Sequence, residues 1–228
     1  MGECYAIVLA GGRGERFGLG YKCLTPLFGK PILAYAIQPL QDSDKVSRII
    51  VATRQEHFGD IGHLIENYGF SKVVEIVEGG DRRQDSVYNA ISRIKTADYI
   101  LVHDGARPLA SKELVEKTLA AAIDHGAAVA AVRAKDTVKQ GDAFVEKTIP
   151  RENIWLAQTP QAFRFDILQH AHNQARKMGL YTTDDASLVE FTGRPVAIVP
   201  GEYSNIKVTT PDDILIVTAL VRKEHEQD

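Results

Sequence analysis

The feature that most constrains the fold is a series of short, almost unbroken hydrophobic segments separated by segments with helical spacing of apolar residues. Unbroken apolar runs are typical of strands buried on both faces of a parallel sheet. The strands are predicted at Ala6–Ala10, Arg48–Thr53, Lys72–Val77, Tyr99–Asp104 and Ala127–Val132, and the helices at Pro31–Leu40, Gln84–Ile94 and from an N-cap at Ser111 to about His125. This alternation predicts an α/β fold, a mostly parallel sheet with helices on both faces.

The pattern changes after Ala134. The segment that follows is polar and alternates only weakly, so it predicts a protruding β-arm rather than another strand–helix unit. Core-like segments return at Phe165–Lys177, Pro195–Val199 and a strand at Asn205–Val208, and Thr210 followed by Pro211 predicts the start of a last helix. Because no repeat or linker interrupts the chain, residues 1–228 are predicted to form a single domain with the arm at about 135–156.

Composition narrows the function classes. The 228 residues carry a net charge of −3, which gives no broad basic surface and disfavours nucleic acid as a partner. No apolar run approaches the ~20 residues of a membrane span, and the N-terminus does not resemble a signal peptide. Cys4 and Cys23 lack the spacing of a disulfide framework or a zinc site. We therefore expect a cytoplasmic protein with no membrane partner.

The first predicted strand runs into a glycine-rich stretch, AIVLAGGRGERFG, at residues 6–18. Gly11, Gly12 and Gly14 allow backbone N–H groups to approach phosphate oxygens, and Arg16 and Lys22 add positive charge. The glycine spacing fits neither the dinucleotide fingerprint nor the P-loop. The stretch therefore predicts binding of a phosphate-bearing nucleotide; the alternative is a glycine-rich turn with two solvated cations.

Two further segments place polar side chains where predicted strands end. In EGGDRRQDSV, residues 78–87, Gly80, Asp81, Arg83 and Ser86 offer a close backbone approach and directional groups to a base; the alternative is a helix start capped by Asp81. In VHDGARP, residues 102–108, the acid could hold a divalent ion and the arginine a phosphate, the alternative being a structural pair of Asp104 with Arg107.

Three later segments add candidates. PRENIWLAQTPQAF contains Arg151 and Thr159, and TTDDAS contains Thr183, which alone would be interpreted as a helix cap. Lys207 stands in an otherwise apolar predicted strand, where a lysine is unusual unless it has a function or reaches solvent.

Together these motifs resemble the 2-C-methyl-D-erythritol 4-phosphate cytidylyltransferase family of the non-mevalonate isoprenoid pathway, from about Tyr5 to about Val221. The sister ribitol-5-phosphate cytidylyltransferases share most motifs, but VHDGARP and TTDDAS favour the first family. One departure is Tyr21-Lys22-Cys23, where the family usually has Pro-Lys-Gln; loss of the proline is expected to loosen the segment that presents the lysine.

The resemblance implies a Rossmann-like nucleotidyltransferase fold, CTP and a polyol phosphate as substrates, Mg²⁺ or another divalent cation, and a homodimer formed through the arm. The implied catalytic residues are Arg16, Lys22 and Lys207, and the implied metal ligand is Asp104. The implied nucleotide contacts are Ala10, Gly11, Gly12, Gly14, Gly80, Asp81, Arg83, Ser86 and Gly105. The implied contacts to the polyol phosphate are Arg107, Thr137, Arg151, Thr159 and Thr183, with Thr137 and Arg151 lent to the neighbouring subunit.

Two functions of other classes compete with this one. A non-catalytic nucleotide-sensing module could have lost Lys22, Asp104 or Lys207, and all three are present. An NAD-dependent oxidoreductase is disfavoured because the dinucleotide fingerprint fails.

Overall fold

The computed structural model describes residues 2–12 and 21–225, with side chains described as far as residue 222. Within them, the chain forms eleven strands, seven of which build one central sheet. The strands are β1 (Cys4–Leu9), β2 (Pro26–Leu27), β3 (Lys30–Pro31), β4 (Arg48–Thr53), β5 (Val73–Glu78), β6 (Tyr99–Asp104), β7 (Ala127–Arg133), β8 (Val138–Gly141), β9 (Val145–Ile149), β10 (Trp155–Arg164) and β11 (Ala197–Pro200).

The central sheet has the strand order β11-β7-β10-β6-β1-β4-β5. Strand β1 lies between β4 and β6 and is parallel to both, while β10 is antiparallel to β6 and β7. Four strands that were predicted from unbroken apolar runs are therefore adjacent, and their carboxyl ends meet at one edge. This confirms the mostly parallel α/β sheet.

Amphipathic helices cover both faces of the sheet, as predicted. One hydrophobic cluster contains Leu33, Ile61 and Leu119, and a second contains Val87 and Leu168 on the opposite face. The helices are α1 (Ile32–Asp42), α2 (Phe58–Asn67), α3 (Arg83–Ile91), α4 (Lys112–His125), α5 (Phe165–Met178), α6 (Asp185–Phe191) and α7 (Pro211–His225). No helix in the described part of the chain is long and apolar enough to cross a membrane.

Local signals predicted the starts of two helices correctly. Ser111 accepts a hydrogen bond from the Leu114 amide at the start of α4, as its N-cap role predicted. At the start of α7, the Asp213 carboxylate accepts hydrogen bonds from both the amides and the hydroxyls of Thr209 and Thr210. The carboxylate therefore satisfies free donors where the positive end of the helix favours a negative charge.

Strand β10 and helix α2 were missed, and a strand predicted at Asn205–Val208 does not form. In β10, the polar residues around Pro160 hide the apolar pattern, and the ladder with β7 becomes irregular between Ala157 and Gln161. The segment at 205–208 cannot extend the sheet beside β6, because β1 and β10 already occupy both edges of that strand. It instead crosses beyond the end of β6, where the Val208 amide donates to the Ala106 carbonyl.

The segment after Ala134 forms the predicted β-arm. Strands β8 and β9 pair with each other as an antiparallel hairpin that belongs to a separate two-stranded sheet. Most of its side chains are exposed, and Phe144 is 86% exposed. The hairpin thus projects apolar surface away from the core of its own chain.

Candidate active site

A cleft of about 940 Å³ opens at the carboxyl edge of the parallel strands. Ligands bind at this edge in open α/β sheets, because successive strands deliver their following loops to the same place. The cleft is lined by nine of the predicted site residues: Gly11, Gly12, Lys22, Gly80, Asp81, Arg83, Ser86, Asp104 and Lys207. Residues far apart in the sequence are therefore brought together as expected.

The glycine-rich turn begins at the end of β1. Ala10 is fully buried, and its N–H donates to the Ala52 carbonyl at 2.8 Å. The Ala10 amide is therefore committed to the fold, which does not fit the expected nucleotide contact of Ala10. The described residues of this turn that line the cleft are Gly11 and Gly12. Gly14 and Arg16 lie outside the described residues, so their predicted roles stay predictions.

Asp104 is the centre of a buried cluster of charges at the end of β6. Its carboxylate lies 2.9 Å from Lys207 Nζ, 3.4 Å from Arg107 Nε and 3.5 Å from Arg83 Nε. Burial would raise the pKa of Asp104, but the three cations outweigh it and hold the pKa well below its usual range. Asp104 is therefore ionised at neutral pH.

The two predicted catalytic lysines approach the cleft from opposite ends of the chain. Lys22 lies in a short 3₁₀ turn, Lys22–Leu24, and its Nζ donates to the Val208 carbonyl at 2.9 Å. Val208 follows Lys207 directly, so the Lys22 ammonium is anchored on the segment that carries Lys207. This arrangement concentrates positive charge where a triphosphate would have to lie.

Arg83 is held by two carboxylates, Asp104 and a second acid, and the sequence analysis predicted neither pairing. Its Nη1 lies 2.6 Å from Asp185 Oδ2, and Asp185 Oδ1 in turn lies 2.9 Å from His172 Nε2. Asp185 is fully buried, which would raise its pKa, yet Arg83 and His172 lower it. Nε and Nη1 are directed at Asp104 and Asp185, so Arg83 links the two acids, while its Nη2 is buried with no hydrogen-bond partner among the described residues. Arg83 also lines the cleft, and its expected contact with a base stays a prediction. The acids in TTDDAS were the only signal of this partner.

The turn between β5 and α3 is rigid and tightly packed. The Ser86 hydroxyl accepts a hydrogen bond from the Gly80 amide at 3.0 Å and donates to the Arg82 carbonyl at 3.2 Å. A Cβ added at Gly80 would lie 2.3 Å from the Asp85 Cβ, so only glycine fits there. The N-cap residue of α3 is Arg82, so the alternative of a helix capped by Asp81 is wrong; Asp81 is exposed at the rim of the cleft.

Behind Asp104, Thr159 and His103 form a buried hydrogen-bonded chain. The Thr159 hydroxyl accepts from the Asp104 amide at 2.9 Å and lies 3.1 Å from His103 Nδ1. Burial lowers the pKa of His103 to about 4, so the ring is neutral and its Nδ1 can accept the hydroxyl proton. Thr159 is thus 3% exposed and supports the cleft from behind, which does not fit the expected direct contact with substrate.

Two other predicted contacts also stand behind the lining of the cleft. Arg107 is mostly buried and donates to the Asn205 carbonyl at 2.7 Å. Its Nε lies 3.4 Å from the Asp104 carboxylate, which is the structural pair that the alternative interpretation predicted. A Cβ at Gly105 would lie 2.9 Å from Leu33 Cδ1, so this glycine allows close packing beneath the site.

The remaining predicted substrate residues lie outside the cleft of their own chain. Thr183 is exposed, and the residue that caps α6 is Asp184, whose carboxylate accepts from the Ser187 amide. Thr137 and Arg151 are exposed at the base of the arm, where the Arg151 guanidinium donates to the Lys135 carbonyl.

The residues around Asp104 suit a metal that the substrate helps to hold. Among the described residues, no group of three or more His, Cys, Asp or Glu side chains could hold a metal ion alone. Magnesium at nucleotide sites is usually bound by one or two carboxylates together with phosphate oxygens and water. Asp104 offers one buried, ionised carboxylate and leaves the other positions to phosphate oxygens and water, which fits that pattern.

A parallel sheet with a glycine turn, two converging lysines and a buried carboxylate at its carboxyl edge defines the nucleotidyltransferase class. Comparison with known proteins identifies the family. Residues 4–223 match the family model described as 2-C-methyl-D-erythritol 4-phosphate cytidylyltransferase. The chain belongs to this family, as the resemblance predicted.

Relatives and solved structures agree with this assignment. The protein of this name from Geobacillus thermodenitrificans is 42% identical over 95% of this chain and 96% of its own, and that from Pelotomaculum thermopropionicum is 43% identical over 97% and 95%. The structure of 4-diphosphocytidyl-2C-methyl-D-erythritol synthase from Anaerococcus prevotii superposes with a TM-score of 0.86 at 31% identity and covers 96% of both chains. The cytidylyltransferase from Thermus thermophilus gives a TM-score of 0.80 at 32% identity, over 95% of this chain and 98% of its own.

Proposed function

We propose that the chain transfers CMP from CTP to 2-C-methyl-D-erythritol 4-phosphate, giving 4-CDP-2-C-methyl-D-erythritol and pyrophosphate. The observation that carries the proposal is that Lys22, Asp104 and Lys207 line one cleft at the carboxyl edge of the sheet, with Lys207 Nζ 2.9 Å from the Asp104 carboxylate. A phosphate oxygen of the polyol attacks the α-phosphorus of CTP, a new P–O bond forms, and the bond to pyrophosphate breaks. The attacking group is already an anion, so no protein nucleophile is needed.

Catalysis then depends on positioning and on stabilisation of negative charge. Lys22 and Lys207 stabilise the charge that develops on the α-phosphate oxygens, with Arg16 as a third predicted cation. The amides of Gly11 and Gly12, with Gly14, bind the triphosphate, and Gly80 and Asp81 meet the cytosine at the rim. A divalent cation held by Asp104 and phosphate oxygens would neutralise further phosphate charge.

The arm supplies the support for a dimer in this proposal. Thr137 and Arg151 do not line the cleft of their own chain, and the hairpin that follows Thr137 exposes apolar surface. A two-stranded hairpin is marginally stable alone, and a two-fold related copy would cover it. We therefore include a homodimer in which each arm lends Thr137 and Arg151 to the neighbouring site.

A cytoplasmic location completes the proposal. Cys4 and Cys23 are buried free thiols, and burial raises the pKa of each, to about 12 and about 11. Unpaired thiols suit a reducing compartment.

The experiment that tests the function is a pyrophosphate-release assay with CTP and each polyol phosphate in parallel. We expect turnover with 2-C-methyl-D-erythritol 4-phosphate to exceed turnover with ribitol 5-phosphate by at least about tenfold, a difference of about 1.4 kcal/mol in transition-state binding. Equal or reversed rates would assign the chain to the ribitol reaction. Binding of CTP without release of pyrophosphate from either substrate would instead favour a sensing module.

A further inference from the structure

Tyr21 stands where the family usually has the proline of Pro-Lys-Gln, and its side chain makes contacts that the sequence analysis did not predict. Its hydroxyl lies 2.5 Å from the Ala10 carbonyl and 2.9 Å from the Thr53 hydroxyl. A tyrosine has one hydroxyl proton, so the consistent arrangement is that Tyr21 donates to Ala10 and accepts from Thr53. Burial raises the pKa of Tyr21, so the hydroxyl stays protonated and remains a donor.

The ring of Tyr21 is also held. It stacks on the imidazole of His57 with the two ring centroids 3.6 Å apart and the planes 11° from parallel. His57 ends the 3₁₀ turn Gln55–His57, which follows β4. Tyr21 therefore joins three places: the end of β1 at Ala10, the end of β4 at Thr53, and the turn after β4.

These contacts lie one residue from the catalytic Lys22. The Tyr21 carbonyl accepts from the Leu24 amide at 3.0 Å, so the residue that is tied down also begins the 3₁₀ turn that carries Lys22. The side-chain contacts of Tyr21 therefore restrain the start of this turn.

We propose that Tyr21 is a positioning residue for Lys22: it ties the backbone at the origin of the lysine to β1 and β4, so that Nζ is presented beside Lys207. A lysine side chain has many rotamers, so its ammonium group is placed reproducibly only when the backbone that carries it is fixed. The backbone of Tyr21, with φ −77°, would also accept proline. At this position tyrosine restrains the backbone through its side-chain contacts, whereas proline would restrain it through its fixed φ. The inference rests on the proposed function, since it assigns Lys22 to the charge on phosphate.

The test is Tyr21→Phe, which keeps the ring and its stack on His57 and removes only the hydroxyl. The matched control is Tyr35→Phe, because the Tyr35 hydroxyl donates to the Leu27 carbonyl at 3.2 Å away from the cleft. Loss of one hydroxyl should lower the melting temperature of both variants by similar small amounts. We expect kcat to fall about tenfold in Tyr21→Phe and to stay within about twofold of wild type in Tyr35→Phe.

A double-mutant cycle separates positioning from general damage. In a Lys22→Ala background, Tyr21→Phe should change kcat by less than about twofold, because no ammonium remains to be positioned. A full tenfold loss in that background, or a Tyr21→Phe enzyme with the wild-type kcat, would overturn the proposal.

Calorimetric titration with CTP gives a readout that does not depend on the acceptor. We expect CTP affinity to fall about threefold in Tyr21→Phe and not in Tyr35→Phe. If wild type binds CTP but does not turn over methylerythritol phosphate, the proposed function fails, and equal CTP affinities of the two variants would then reject the role of Tyr21 separately. A wild-type protein that does not bind CTP would refute both.

Discussion

The cleft and the arm contain two halves of one predicted site, and they differ in how completely the chain itself holds them. In the cleft, Asp104 is buried and contacts Lys207, Arg83 and Arg107. On the arm, Arg151 is exposed and its guanidinium donates to a backbone carbonyl, that of Lys135. The cleft half is preassembled by the fold of its own chain, whereas the arm half is exposed, as expected of a segment that packs on a second subunit.

This difference has an energetic reason. A buried carboxylate costs several kcal/mol unless it is paired, so Asp104 must be surrounded by cations before any substrate arrives. An exposed arginine is solvated by water, so it needs no charged partner in the free protein. The comparison therefore separates residues that the fold must position from residues that an assembly can position.

The largest expected effect comes from removing a lysine from the preassembled half. Lys207→Ala and Lys22→Ala should each lower kcat by roughly 10²–10³-fold, because each removes charge stabilisation that grows in the transition state. The KM for CTP should change less in Lys207→Ala than in Lys22→Ala. The measurement is steady-state pyrophosphate release with both substrates varied.

Lys30→Ala is the matched control for these variants. Lys30 is half-buried and donates to Gln38 Oε1 at 2.9 Å away from the cleft, so its loss should leave kcat within about twofold of wild type. A Lys207→Ala enzyme with near-normal kcat would remove Lys207 from the catalytic residues and leave it as a partner of Asp104.

The exposed half is tested by mixing inactive variants. Arg151→Ala should lower activity by about 10²-fold, and Lys139→Ala, which changes an exposed lysine on β8, should not. If Arg151 serves the neighbouring site, random exchange between Lys22→Ala and Arg151→Ala subunits makes about half the dimers mixed, each with one intact site. Activity should then return to about a quarter of wild type.

The same mixture can also reject the shared site. If Arg151 acts within its own chain, every site keeps one damaged residue and no activity returns. Exchange itself is checked by native mass spectrometry of subunits of different mass, so that a failure to mix is not mistaken for this result.

The difference between the two regions also decided what the sequence could predict. Unbroken apolar runs predicted β4 and β6 to the residue, and the rule that parallel strands deliver their ends to one edge predicted a site at Asp104. The presence of Lys22 and Lys207 in the same cleft was implied by the family resemblance and not by local pattern.

Side-chain contacts between segments that are distant in the sequence could not be predicted from local pattern. Nothing near Arg83 in the sequence announces Asp185, and the hydroxyl of Thr159 was assigned to substrate although it binds the Asp104 amide. The departure at Tyr21 was expected to loosen its segment, yet the side chain ties that segment to Ala10 and Thr53. Side chains that bridge elements follow from packing in three dimensions, and a single sequence carries no spacing rule for them.

The smallest expected effect concerns Asp104, which is both a structural partner within the cleft and the proposed metal ligand. Asp104→Asn keeps the shape and removes the charge, so at saturating CTP the Mg²⁺ concentration for half-maximal activity should rise about tenfold. Asp81→Asn is the matched control, since it changes a carboxylate of the same cleft at the exposed rim; it should raise the KM for CTP and leave the Mg²⁺ requirement unchanged.

The pairing of Asp104 with three cations predicts a second effect, a lower melting temperature in Asp104→Asn, because the buried cations lose their counter-charge. The two readouts separate the roles: a lower melting temperature with an unchanged Mg²⁺ titration would show that Asp104 only holds Lys207, Arg83 and Arg107 in place. A shifted Mg²⁺ titration would show that Asp104 also binds the metal ion, and that the three neighbouring cations position its carboxylate for that role.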